Sequence, residues 1–184
     1  GDNAVGGAPA DSTFFLQEIL KRGMKDIAHG IFWDPVLVTM CQDAGVGARM
    51  KVRLGGKICA ESGEAVDLEV TVRAIRENMT QKLGETDMPM GTGVWLDADG
   101  VHLVVSSLRT QNFSPSVYTD LGMDITQMKA LIPKSTNHFY QNFEKISPQV
   151  IHVRSPGTVT PDMTIIPYTK RDGNYWPRVE NPFT

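Results

Sequence analysis

Two runs of strict alternation, separated by a pair of glycines, constrain this chain more than any other feature. Arg49, Lys51 and Arg53 alternate with Met50, Val52 and Leu54; beyond Gly55-Gly56, Val66, Leu68, Val70, Val72 and Ala74 alternate with Asp67, Glu69, Thr71 and Arg73. A period of two sends one face to a core and the other to water, the mark of a half-exposed strand. The polar face of the first run is basic and that of the second mostly acidic. Cross-strand attraction therefore predicts that the two runs pair antiparallel. The segment between them is polar and is expected to be a mobile loop.

Other elements follow from local signals. Ile27 to Trp33 reads as a buried strand, and Asp34-Pro35 supplies an N-cap and a first-turn proline for a helix over Val36 to Ala44, ended by Gly45. Asp99-Gly100, between Val94-Trp95-Leu96 and Val101 to Val105, marks a tight hairpin turn. Asn78 to Gly93 has no clear period and is expected to be a long excursion or a ragged pair of short strands. Ser114-Pro115 opens a short helix to Leu121, Met128 to Ile132 reads as a buried strand, Thr136 to Lys145 as a helix capped by Ser135, and Val150 to Val153 as a strand. From Ser155 the prolines Pro156, Pro161, Pro167, Pro177 and Pro182 predict an extended tail over the surface. The sum is an α/β (α+β) single domain over residues 1–184, a mixed, mainly antiparallel sheet flanked by helices.

The chain opens with GDNAVGGAPADST, Gly1 to Thr13, a glycine-rich loop aimed at a helix expected over Asp11 to Arg22. Asp11 is placed as its N-cap, Phe15, Leu16, Ile19 and Leu20 make one apolar face, Lys21 and Arg22 meet the negative end of the dipole, and Gly23 stops it. Such a motif at the very start predicts a fragment of a longer protein, with Gly1 a residue left by cloning.

Composition excludes several classes. With 184 residues, 41% hydrophobic and 21% charged, the chain has material for one core. A formal net charge of −3 argues against a general nucleic-acid binder. No stretch nears the roughly 18 apolar residues of a spanning helix, so no membrane partner is expected and the chain reads as soluble. Cys41 and Cys59 are too few for a disulfide framework and read as buried thiols, which favours a reducing, cytoplasmic location.

Signals for catalysis are missing. His29, His102, His138 and His152 lie on separate elements without paired spacing, so no metal site is expected. Asp97-Ala98-Asp99-Gly100 lacks the remaining positions of a calcium loop. No G-x-S-x-G elbow occurs, and Ser106-Ser107 has no recognisable base and acid. Three clusters rank higher. The opening loop offers Gly6 and Gly7 for close backbone approach to an anion or to a partner's carboxylate. Arg53-Leu54-Gly55-Gly56-Lys57 sets two cations beside a flexible backbone. Arg109-Thr110-Gln111 follows one strand end and Lys134-Ser135-Thr136-Asn137-His138 another, where open sheets collect ligand groups.

Taken in chain order, Asp2-Asn3, Gly6-Gly7-Ala8-Pro9 with Asp11 and Thr13, Trp33-Asp34-Pro35, Arg53-Leu54-Gly55-Gly56-Lys57, Lys134-Ser135 with His138-Phe139, and Pro156-Gly157 resemble the C-terminal domain of the microcystinase C (MlrC) family of zinc metallopeptidase-like proteins. That family's loop usually has proline then glycine where this chain has Ala4 and Val5, and glycine where it has Ala10. The resemblance implies the accessory part of a bacterial two-domain hydrolase of roughly 500 residues. The parent would be a zinc-dependent peptidase or amidohydrolase of the kind named for microcystin degradation, acting on a peptide or amide. Zinc would sit in the N-terminal catalytic domain, with no cofactor and no catalytic residue in this fragment, which alone would be inactive. Asp2, Asn3, Gly6, Gly7, Asp11 and Thr13, together with Arg53, Gly55, Gly56, Lys57, Arg109, Gln111, Lys134 and His138, would then face the cleft or the other domain. The competing class is a non-catalytic binding or oligomerisation module without substrate contact, and a homo-oligomer fits either.

Overall fold

A computed structural model describes residues 2–183; Gly1 and Thr184 lie outside the described residues. The expected strand pair is present. β2 (Arg49–Leu54) runs antiparallel to β3 (Val66–Leu83), with Lys51 opposite Glu69 and Arg53 opposite Asp67. β1 (Ile27–Trp33) is buried almost throughout. α2 (Pro35–Ala44) starts where the Asp34 carboxylate accepts from the Leu37 N–H at 3.0 Å. β4 (Thr86–Ala98) turns into β5 (Val101–Ser106) through Asp99 and Gly100, both at positive φ.

One six-stranded sheet results, in the order β2-β3-β4-β5-β1-β6, with β6 spanning Ala130–Pro133. The first four strands are antiparallel neighbours; β5, β1 and β6 are parallel. α1 (Phe14–Lys21) and α2 share one core with the sheet, in which Leu16, Ile19, Leu37 and Val38 meet Val52, Leu54, Val72 and Leu96. The antiparallel arm therefore turns its apolar face to the side that carries α1 and α2. On the other face α3 (Ser116–Thr119) and α4 (Tyr140–Phe143) bury Val117, Tyr118, Phe139 and Phe143 against Ile31, Met79 and Val104. Each fully buried large apolar side chain contributes about 1.5–3 kcal/mol.

Several expectations are corrected. α1 begins at Phe14 rather than Asp11, and the residue at its cap position, Thr13, makes no side-chain cap bond. Of the two readings of Asn78 to Gly93 the ragged strand pair holds and the excursion falls: it is the distal half of the long β3/β4 hairpin. Register shifts between Val72 and Ala74, Arg76 and Met79, and Met79 and Thr80 break the alternation, which is why no period was legible there. The helix expected over Thr136 to Lys145 is one turn of four residues, because the preceding polar side chains are drawn into contacts with other loops. Val150 to Val153 forms no strand. Val150 packs on the core and His152 stacks on Tyr140, while Ile151 and Val153 face outward. β6 is half-buried rather than buried, and Cys59, unlike Cys41, is only partly covered. Among the described residues no helix is long and apolar enough to cross a membrane.

Candidate functional site

The three parallel strands end together at Ser106, Trp33 and Pro133, and the segments that leave them carry most of the residues singled out in the sequence. The opening segment lies across these ends. The Asp2 carboxylate accepts from the Ala10 and Ser12 N–H groups, each at 2.8 Å, and from the Lys134 ammonium at 2.9 Å. Lys134 also donates to the Ser12 carbonyl at 2.8 Å and stands 3.6 Å over the Phe32 ring, so its donors are fully used. These two side chains are only 6% and 7% exposed. Burial opposes ionisation of Asp2, yet the Lys134 ammonium and the two N–H groups hold its carboxyl below the usual range. Burial likewise lowers the Lys134 pKa, with Asp2 offsetting part of the fall.

Asp11 caps nothing in α1. Its carboxylate is turned the other way and accepts from the Lys57 N–H at 2.8 Å, the Ile58 N–H at 3.0 Å and the Ser62 hydroxyl. Three donors from one loop outweigh the single cap bond that the sequence suggested. Thr13 completes the seam, its hydroxyl donating to the Glu64 carbonyl at 2.7 Å. The loop expected to be mobile is thus fastened to the start of α1. Gly55 and Gly56 are required here: both have positive φ, and a Cβ on Gly55 would lie 2.4 Å from the Asp11 carbonyl oxygen. Lys57 reaches on to Asp34, the α2 cap, at 2.5 Å. Arg53 does not join this assembly; it forms an exposed edge pair with Asp67.

The glycine loop does not face the N-terminus of α1, since the buried run Ala8 to Thr13 intervenes. Asn3 caps a short turn over Ala4–Gly6 by accepting from the Val5 N–H, and its amide donates to Thr136 Oγ1 at 2.8 Å. Gly7 follows at positive φ, and Gly6 packs against Val159 of the tail. Ala10, where the resembled family has glycine, is itself at φ 67°, with its carbonyl accepting from Trp33 N–H. Arg109 is exposed, its guanidinium 6.0 Å from the Trp33 ring centre and 3.5 Å from the Ala8 carbonyl. Gln111 is buried; its amide nitrogen faces Ser135 Oγ and, at 3.4 Å, His138 Nδ1, while its Oε1 has no partner.

Sequence reasoning missed Gln81 and Ser62. Gln81, fully buried on β3, donates to the Gln111 carbonyl at 2.6 Å and accepts from the Phe113 N–H at 2.7 Å, and so fixes the loop after β5. Its only signal was a polar residue in a stretch whose period is broken. Among the described residues no three His, Cys, Asp or Glu side chains gather as metal ligands. The carboxylates of Asp2, Asp11 and Asp34 are all committed to lysines or to loop donors, so this end of the sheet does not fit a metal ion. His29 is buried, its Nδ1 2.9 Å from the Ile132 carbonyl; burial and then Lys134 lower its pKa to about 3.

A family model described as MlrC C-terminus matches residues 1–170. Microcystinase C of Sphingomonas sp. is 30% identical over 176 residues, which are 96% of this chain and 34% of that protein. The chain thus spans about a third of the length of this curated relative. A crystal structure from Mesorhizobium sp. BNC1, called "Putative metallopeptidase", shares the fold, with a TM-score of 0.76 at 24% identity over 85% of this chain and 32% of that one.

Proposed function

Because this chain belongs to the MlrC C-terminus family, we propose that it is the accessory C-terminal domain of a zinc-dependent peptidase or amidohydrolase, docked on an N-terminal catalytic domain and covering its cleft. In this reading residues 1–184 form one domain without catalytic groups, zinc and its ligands belong to the other domain, and the substrate is a peptide or amide held between the two. Cysteine usage favours a cytoplasmic setting.

One observation carries the docking. Val5, Val36, Ile58 and Leu108 are 59%, 68%, 53% and 47% exposed, and they sit on four segments that the polar contacts above gather at one end of the sheet. The inner side of this frame is locked by Asp2, Asp11, Lys57 and Lys134; its outer side is apolar, which suits burial against another protein surface. Hydrogen exchange tests the reading. In a full-length protein carrying both domains, amides of residues 3–8, 57–60 and 107–111 should be protected relative to the 184-residue chain, and a substrate analogue should increase that protection. Equal exchange in the two would remove the docking. Protection that instead rises with concentration of the isolated chain would assign the face to self-association.

A further inference from the structure

The β3/β4 hairpin is longer than the sheet that carries it. Gly93 pairs with Ser106, the last residue of β5, but β3 and β4 go on pairing outward as far as Leu83 and Thr86. The stretch Thr86 to Thr92 therefore lies past the end of β5, an overhang of roughly 20 Å in extended chain. It projects from the end of the sheet where Asp2 meets Lys134. A free two-stranded ribbon is marginal in water, and this one is braced twice. At its base the Ser107 N–H donates to the Thr92 carbonyl at 2.9 Å, the Thr92 N–H donates to Ser107 Oγ at 2.8 Å, and the Leu108 N–H donates to the Met90 carbonyl at 3.2 Å. Further out, Gln81 holds the Gln111 carbonyl and the Phe113 N–H, and Met79 and Met90 are buried on either side of it. Beyond both braces the tip stands in water. Lys82 and residues 84–87 are exposed, Lys82 pairs across the ribbon with Asp87 at 3.0 Å, and Gly84, at positive φ, makes the turn with Glu85.

We propose that this tip is an arm that reaches past the sheet onto the N-terminal domain, so that the docking face continues from Leu108 out along the hairpin. The inference rests on the reading of this chain as a docked accessory domain. Two observations name the occupant. The chain corresponds to 34% of its curated relative and matches the family's C-terminus, so in a protein of that length the remaining polypeptide enters ahead of Asp2. Asp2 is bolted to Lys134 at the end where the hairpin overhangs, which ties that polypeptide to the same end. The arm thus has a tethered partner at high local concentration, and because its braces fix its direction beforehand, contact costs it little entropy.

Hydrogen exchange at residues 84–87 tests the arm, in a full-length protein carrying both domains and in the 184-residue chain. These amides should exchange more slowly in the full-length protein, by about tenfold or more. Replacing Lys82 to Asp87 by a two-residue Asn-Gly turn keeps Gln81 opposite Met88. That change should leave the urea midpoint of the 184-residue chain nearly unchanged and should speed exchange at residues 57–60 in the full-length protein. A second variant leaves the turn at its natural length. In E85C the introduced thiol should react with a maleimide more slowly in the full-length protein than in the 184-residue chain, with the parent's Cys41 and Cys59 as the blank. The arm is overturned if residues 3–8 and 57–60 are protected in the full-length protein while residues 84–87 and the E85C thiol behave as in the 184-residue chain; the docking then stands without it. It is also overturned if the shortened turn leaves exchange at residues 57–60 as it was. Absence of protection at all of these segments removes the docking and the arm together. Protection of residues 84–87 that rises with concentration of the 184-residue chain would give the tip to a second copy and overturn the proposal.

Discussion

Lysine–aspartate pairs stand at both ends of the parallel strands, with nearly the same distances and opposite relations to water. Where β1, β5 and β6 begin, Lys129 meets Asp26 at 2.8 Å and Lys25 meets Asp99 at 2.6 Å, with Lys129 72% and Asp99 91% exposed. Where they end, Asp2 and Lys134 meet at 2.9 Å out of water. Distance alone would rank the exposed pairs higher. Burial reverses the ranking, because removing one member of a buried pair strands the other charge, while water replaces a missing partner on the surface. The end with buried pairs is the one where far segments of chain are held together; the other end holds tight turns that local sequence already specifies.

The largest expected effect tests this contrast directly. Lys134→Met should cost about 3–5 kcal/mol in urea unfolding, because it leaves the Asp2 carboxylate buried and unpaired. Adding Asp2→Leu should recover much of that loss, by the coupling expected for groups in contact. If the single and double variants unfold alike, the pair is not the lock described here. Next, Asp11→Ala should cost about 3 kcal/mol, since two loop N–H groups and a buried hydroxyl lose their acceptor. A loss near 1 kcal/mol would return Asp11 to the role of a simple cap.

The pH dependence sharpens the comparison. His29 is held neutral in the fold down to about pH 3, whereas an exposed histidine protonates near its ordinary 6.5. Between these values the unfolded chain binds a proton that the folded chain does not. Stability should therefore be full above about pH 6.5 and fall by about 1.4 kcal/mol per unit as the pH drops below it. His29→Gln should flatten that slope. Asp2 acts in a lower window: its depressed carboxyl pKa stabilises the fold above about pH 4, and this contribution is lost as acid protonates it. Midpoints in urea from pH 7 to pH 2 would separate the two. The smallest effect is expected at the other end, where Lys129→Met should leave the midpoint unchanged; a shift comparable to that of Lys134→Met would break the contrast.

The same contrast explains what the sequence discloses. The β2/β3 pairing was legible because alternation and opposite charges lie on neighbouring segments, and Asp34-Pro35 and Asp99-Gly100 were legible because their chemistry is local. The site residues were legible only as types. Nothing in the sequence pairs Asp2 with Lys134 across 132 positions, and Asp11 preceding an apolar face reads as a cap until the loop that claims its carboxylate is known. Arg53 was grouped with Lys57 by adjacency, but strand alternation turns it to the solvent face of the sheet, where Asp67 of β3 takes it. Gln81 was hidden by the irregular register of β3. Thr136 to Lys145 has helical spacing, yet Asn3 and Gln111 draw Thr136 and Ser135 into other contacts before a helix can start.

The position of β1 in the sheet has a consequence for the order of assembly. Its two neighbours begin at Val101 and Ala130, so β1 emerges from synthesis long before either partner exists, while the β2/β3 and β3/β4 hairpins close on adjacent chain. Local hairpins form early, and parallel pairs that must close long loops form late. Asp2 waits longest, because Lys134 leaves the ribosome after every residue of the first five strands. Until then β1 lacks its second neighbour, and a chain stalled before residue 130 holds a nearly complete antiparallel arm beside an unfinished parallel one. Aggregation of truncated chains should fall off only once the end of β6 is included.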